Sequence, residues 1–585
     1  MQQDKQWETK AEAMTDFLFG TSVTETSVFR DDAGYGFRDE EYNEPAPDWQ
    51  NGVYYPRRRT KDAPGAGYVT NGEGYLAIGS RVWTETENTG FGIYTYENTS
   101  VFSVKAEPGN YRVEVTFVNP GLSAYKAYIK AEDIRKVNDI AVKPKEEVTC
   151  SFTAVPVDGI LDLKFPVQSG AVTEKEAIRQ CAYVSKVKLE KLASGQRGKK
   201  PAIYLASDST VQSYEKIDFP QTGWGQVFSL FFGEQTDERA CAGCDYEQAR
   251  VYETAEVIVE NRAIGGRSSK SFVLEGKLDD LLDDIRQGDY LLIQWGHNDA
   301  TPIRPNRYVD SSDFEPWLQY YVDGARQRGA HPVLVTPVAR YHFTQNEDGS
   351  LNSFQSDFEG YRQVMLKMAK EQQLALIDLT KRSIELCNQA GIDRAKHFFM
   401  QIKPGEYPDS VYRDGKEDAT HLQYYGAYHF AKCVAQGILE SNADCLKALK
   451  SLVKIPDADR EPAVPGQTGE KYNGNKQQGA DCGKLYGPSG FRCYEIDRNS
   501  HTGKVCFLVG FRGSPLAAGY RIYGKKDSDE KYACIKAFTA EEYLRDELGC
   551  CSMVCDAGHT YKYCMTCVNA EGKESEQSNV IDLVL

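Results

Sequence analysis

Nothing in this 585-residue chain approaches the uninterrupted run of about 20 apolar residues that a membrane-spanning helix needs. A soluble protein with no membrane partner is expected. Basic residues are also in deficit: Lys and Arg number 69 against 85 Asp and Glu, a formal net charge of −16. Phosphate binding needs a basic footprint, so nucleic acid is excluded as the main partner. A polyanionic ligand would need local Arg or Lys at its site. The opening residues, Met1-Gln-Gln-Asp-Lys-Gln-Trp7, lack a basic segment leading into an apolar one. No secretory leader is expected, and a cytoplasmic location is. Cysteine is not scarce, at 16, but a regular disulfide framework is missing. Nine cysteines fall from Cys482 onward, an odd number, and the rest are scattered, which reads as reduced thiols used as small apolar residues. Cys241-x-x-Cys244 and Cys564-x-x-Cys567 each have the spacing of half a zinc site. They fall in different domains with no second half near either, so no metal is expected there.

The length implies roughly three or four domains. Residues 16–193 read as all-β. Tyr111, Val113, Val115 and Phe117 alternate with Arg112, Glu114 and Thr116, and Leu161, Leu163, Phe165, Val187 and Leu189 repeat the pattern. Short strands between Gly, Pro and Asn turns predict a β-sandwich. Its aromatic residues Tyr35, Phe37, Trp49, Tyr54, Tyr55, Trp83, Tyr94 and Tyr96 are either platforms for sugar rings or sandwich core. The module resembles the jelly-roll carbohydrate-binding modules that accompany carbohydrate esterases. Ala193–Pro201 is a linker by composition. From 200 to 450 the apolar strands 202–206, 289–295, 332–336 and 374–378 alternate with amphipathic helical patterns such as 278–285. That alternation predicts a parallel sheet covered on both faces. Residues 451–480 are a polar linker. Residues 481–585 are β again: 504–511 and 561–567 alternate, and 568–575 looks like the late hairpin of a fibronectin type III sandwich.

Four short segments of the central domain carry chemistry, in a fixed order: Ser207-Asp-Ser-Thr210, Gly265-Gly-Arg267, Gly296-His-Asn-Asp299 and Asp418-Ala-Thr-His421. Ser209 follows the first strand, where ligands of open parallel sheets sit; the alternative is a helix cap. Gly266 lets a backbone N–H approach a developing oxyanion, or merely makes a turn. Asn298 offers a side-chain NH₂ as a further donor. His297 reads as structural. Asp418 and His421, three apart on a turn before a helix at 422–431, are placed so that the aspartate holds the imidazole while its other nitrogen takes a proton from serine. The chain has only eight histidines, and no other has a carboxylate so placed.

The set resembles the SGNH (GDSL) hydrolase superfamily over about residues 200–450, and within it the rhamnogalacturonan acetylesterases. Besides the four segments, Pro220-Gln-Thr-Gly-Trp-Gly-Gln226 carries the likeness. The resemblance implies a three-layer flavodoxin-like α/β domain and a serine esterase. Ser209 would be the nucleophile, His421 the base and then the acid, and Asp418 its orienting partner. Ser209 N–H, Gly266 N–H and the Asn298 side chain would form the oxyanion hole. Ser207 stands where the family usually has glycine, and would narrow the pocket by one hydroxyl. Trp224 would wall a sugar pocket or pack in the core. Arg267 would meet a uronate carboxylate or form a surface ion pair.

The expectation is therefore an esterase that removes acetyl groups from pectic oligosaccharides. It needs no catalytic cofactor, and a structural calcium is left unassigned. Acetylated xylan or mannan is the alternative substrate. A lipase would present an apolar lid, whereas the insertion at 388–417 is polar. A non-catalytic sugar-binding relic is the remaining alternative.

Overall fold

The computed structural model describes residues 16–39, 69–86, 93–192, 200–457 and 488–584, with short breaks inside these ranges. The chain divides into two compact units, one formed by described residues up to 192 and one by those from 200. The expected linkers at 193–201 and 451–480 fall mostly outside the described residues, as do Trp49, Tyr54, Tyr55 and the side chains of Trp83, Tyr94 and Tyr96.

The first unit is all β. Tyr111, Val113, Val115 and Phe117 are all buried on the strand Tyr111–Val118, and Leu161, Leu163, Phe165, Val187 and Leu189 join them in one core. One strand joins two neighbourhoods of the sheet. The strand Ile93–Lys105 is long enough to serve two neighbourhoods. Its first part pairs with Tyr75–Thr86, and its second with Tyr35–Asp39 and Ile160–Lys164. The strands therefore form one continuous hydrogen-bonded network. Phe37 is a core residue and therefore no sugar platform, and the half-buried Tyr35 packs against Phe17 at 5.2 Å. The same unit buries a carboxylate. Lys130 Nζ lies 2.8 Å from Glu97 Oε1, and the Tyr128 hydroxyl donates to the same oxygen at 2.5 Å. The Arg135 guanidinium lies 3.6 Å over the Tyr128 ring. Burial opposes the charge on Glu97, but Lys130, Lys164 and the Tyr128 hydroxyl outweigh it and hold its pKa down at about 2.

In the second unit, five strands form a parallel array: β1 (Ala202–Ala206), β2 (Ile258–Asn261), β3 (Tyr290–Ile293), β4 (His331–Val335) and β5 (Ala375–Ile377). Their spatial order is 2-1-3-4-5, extended beyond β2 by the antiparallel strands Arg250–Thr254 and Gln235–Ala240. The alternation along β1 shows why the run is apolar throughout. Ile203 and Leu205 enter a cluster with Val434 and Ile438 of the helix Tyr424–Glu440. Tyr204 points the other way, and its hydroxyl donates to Asp284 O at the end of the helix Lys277–Asp284. Each such buried side chain contributes roughly 1.5–3 kcal/mol relative to exposure. In this order β1 and β3 are neighbours with crossovers leaving to opposite sides, and the crevice beyond their carboxyl ends is the natural ligand site. Ser207–Thr210 and Gly296–Asp299 are the segments that leave those two ends.

The C-terminal part has two four-stranded antiparallel sheets. Val505, Phe507, Val509 and Phe511 from one share a core with Tyr561, Tyr563, Met565 and Cys567 from the other. Cysteines with described side chains are free thiols.

Candidate active site

The nucleophile segment is shaped by its aspartate. Asp208 is fully buried, and its Oδ1 accepts the Thr210 N–H at 2.9 Å and the Thr210 hydroxyl at 2.8 Å. Asp208 O also accepts Val211 N–H and Gln212 N–H, each at 3.1 Å. The chain thus turns sharply as it leaves β1 and presents Ser209, partly exposed amid buried neighbours. The Tyr214 hydroxyl ties down Ser209 O at 2.7 Å. Burial pushes the Asp208 pKa upward, but His297, whose Nδ1 lies 3.4 Å from Asp208 Oδ2, and the Thr210 donors hold it below its usual value. His297 is buried, with its ring tilted against Phe358 at 4.4 Å.

Asp418 and His421 do not sit on a simple turn before the next helix. They lie on the strand Lys416–Leu422, paired with Phe399–Ile402, and the register jumps from Asp418↔Met400 to Leu422↔Phe399. Ala419, Thr420 and His421 bulge out of the ribbon. Residues three apart on a regular strand face opposite sides, and the bulge cancels that. Asp418 Oδ1 accepts Thr420 N–H at 2.8 Å and His421 N–H at 3.0 Å, while Oδ2 meets His421 Nδ1 at 2.8 Å. His421 Nε2 lies 3.0 Å from Ser209 Oγ. Burial opposes ionisation of Asp418, but the imidazole and the two backbone donors hold its carboxyl well below the usual range. The polar insertion builds this ribbon: Met400, Ile402 and Tyr412 form a small core of their own beneath it. The helix that follows starts at Tyr424.

Two further loops face the serine. Gly266 has φ +79°, a conformation that suits glycine, and Gly265 N–H donates to Gln212 Oε1. Asn298 Nδ2 donates one proton to Arg267 O at 2.8 Å and keeps a second. Among the described residues, neither Ser209 N–H nor Gly266 N–H has a protein acceptor. Asp299 locks the two loops together. It accepts Ser269 N–H and Ser269 Oγ–H on one oxygen and Gly296 N–H on the other. Its complete burial, reinforced by the charge of Asp208, pushes its pKa up to about 7. A serine bonded to an imidazole, that imidazole bonded to a carboxylate, and three N–H donors left open nearby can together carry acyl transfer.

No protein-family model matches the chain. It is 39% identical over 243 residues to rhamnogalacturonan acetylesterase RhgT of Bacillus subtilis (strain 168), covering 41% of this chain and 91% of that protein. It is also 39% identical over 239 residues to the probable rhamnogalacturonan acetylesterase YesY of the same organism, covering 41% of this chain and 92% of that one. The chain belongs to the family of these proteins. The uncharacterized esterase YxiM of Bacillus subtilis (strain 168) is 27% identical over 377 residues, 64% of this chain and 79% of that protein. The protein is a serine esterase.

In this esterase three expectations need correction. Trp224 does not wall a pocket. It is 1% exposed, packs edge-on to Phe228, and donates Nε1–H to Gln294 Oε1 at 2.9 Å. Arg267 is not open to a uronate. Its Nε pairs with Glu275 at 2.9 Å and its guanidinium also reaches Gly265 O, which braces the glycine loop from behind. Ser207 does not narrow the site, because its hydroxyl is turned between the strands and donates to Gln294 O at 2.7 Å. Sequence reasoning missed Gln212, Tyr214 and Arg307, whose guanidinium donates to Gly266 O at 3.2 Å. Of these only Gln212 and Tyr214 adjoin a motif. Among the described residues no group of three or more His, Cys, Asp or Glu side chains is placed to hold a metal ion.

Proposed function

We propose that this esterase removes acetyl groups from pectic oligosaccharides of the rhamnogalacturonan type. Ser209 attacks the acetyl carbonyl while His421 Nε2 takes its proton. Asp418 holds the imidazole in the tautomer that accepts there, and stabilises the imidazolium that forms. The oxyanion is received by Ser209 N–H, Gly266 N–H and the second Asn298 Nδ2 proton. His421 then protonates the departing sugar hydroxyl, and water activated by the same imidazole releases acetate from the acyl-enzyme. The observation that carries this reading is the unbroken hydrogen-bonded chain from Asp418 through His421 to Ser209. The pectic substrate is supported by the two relatives matched over more than nine-tenths of their lengths. On the same reading, 200–450 is a three-layer flavodoxin-like domain, 16–193 a carbohydrate-binding-like jelly roll, and 481–585 a fibronectin type III-like sandwich.

Acetate release from acetylated rhamnogalacturonan and acetylated xylan oligosaccharides, by wild type and Ser209→Ala, tests the proposal. Release from the pectic substrate that Ser209→Ala abolishes is expected. Release from xylan alone would keep the mechanism and remove the pectic assignment.

A further inference from the structure

An acidic protein that handles uronate-bearing sugar needs a cation at its site with no carboxylate of its own. Arg267 does not meet that need, since Glu275 already neutralises it. Arg340 does. It follows β4 in the crevice-side loop, and its neighbour Tyr341 donates its backbone N–H at 2.8 Å to Ala419 O, inside the bulge that carries His421. On its other side the guanidinium lies 4.8 Å over the ring of Phe358, which in turn packs at a tilt against His297 behind the nucleophile turn. Arg340 therefore stands between the histidine ribbon and the loop that carries Asn298.

Three features set it apart. Its Nε is buried and has no hydrogen-bond partner, and among the described residues no carboxylate pairs with its guanidinium. The carboxylate that precedes Phe358, Asp357, is engaged by His342 Nδ1 at 2.7 Å. The Phe358 ring lies against the guanidinium, and Arg340 is only half-buried, so its terminal NH₂ groups, unlike the buried Nε, are left for a ligand. A planar guanidinium held in this way is preorganised for bidentate binding of a carboxylate.

We infer that Arg340 is a specificity-determining residue that binds the carboxylate of a uronic acid unit in the substrate. The inference rests on the pectic reading above, and its test is separable from that reading. Free galacturonate is used as a competitive inhibitor of 4-nitrophenyl acetate hydrolysis, with methyl galacturonate ester and galactose as neutral controls. Galacturonate is expected to inhibit wild type with a Ki at least about ten-fold below that of either control, the gain of one charge-assisted pair. Arg340→Gln is expected to raise the galacturonate Ki by about the same factor, and Arg340→Lys to restore part of it, because a lysine keeps the charge but loses the fork. Equal inhibition by galacturonate and its methyl ester in wild type would overturn the assignment without any variant. So would a galacturonate Ki unmoved in Arg340→Gln. If wild type prefers galacturonate to its ester yet releases no acetate from acetylated rhamnogalacturonan, Arg340 stands and the pectic substrate falls.

Discussion

Glu97 in the first unit is a buried carboxylate and Asp418 in the hydrolase domain a half-buried one, and both are held below their usual pKa range, yet only Asp418 is linked through its partner to a further reactive atom. Glu97 faces the Lys130 ammonium and the Tyr128 hydroxyl, and both donate to it. Asp418 faces an imidazole, which has a second nitrogen, and that nitrogen reaches Ser209. The electrostatics of the two carboxylates are alike. What differs is whether the partner can pass the effect on. A shifted pKa is thus a poor pointer to catalysis by itself. A shifted group whose partner contacts a further reactive atom is a better one.

This contrast can be broken in order of expected effect. Ser209→Ala should lower acetate release by about 10⁴-fold or more, measured as kcat. Asp418→Asn should cost about 10³–10⁴-fold in kcat with the fold retained, since the imidazole loses its orienting anion. Asn298→Ala should cost about 10²–10³-fold in kcat through a lost oxyanion donor, and it leaves Arg267 O without that partner. Glu97→Ala should instead lower stability, by about 3–5 kcal/mol in denaturant titration, because Lys130 stays buried without its anion; the Asp418–His421–Ser209 chain is untouched by it. The smallest effect is in acid. An ordinary glutamate has a pKa of about 4.3, whereas Glu97 sits at about 2. Its contribution to stability is present above the ordinary value and is lost as pH falls through the folded one. Thermal melts of wild type should therefore fall more steeply than those of Glu97→Gln across that window.

The sequence made some of this legible for identifiable reasons. β1 reads off directly because both faces of a parallel strand are covered, so all five residues from Ala202 to Ala206 are apolar. The segments Ser207–Thr210 and Gly296–Asp299 stand out because each is a polar run just after an apolar strand. Other features depend on partners distant in the chain. The bulge at 419–421 is set by pairing with Phe399–Ile402, so the sequence suggested a turn. Trp224 adjoins a family motif, but its fate was decided by Gln294, 70 residues on. Arg267 lies in a motif and is neutralised, whereas Arg340 lies in none and is left unpaired. Nothing local distinguishes the two, because an ion pair is a fact of tertiary structure. The continuous network of the first unit likewise comes from the length of one strand, Ile93–Lys105.

The most direct test of the central claim is rapid-quench mass spectrometry of the enzyme mixed with an acetylated oligosaccharide or 4-nitrophenyl acetate. An acetyl group on the peptide containing Ser209, formed and discharged at rates compatible with turnover and absent in Ser209→Ala, is the predicted result. Turnover with no acetyl-enzyme, or an adduct on another side chain, would contradict the account.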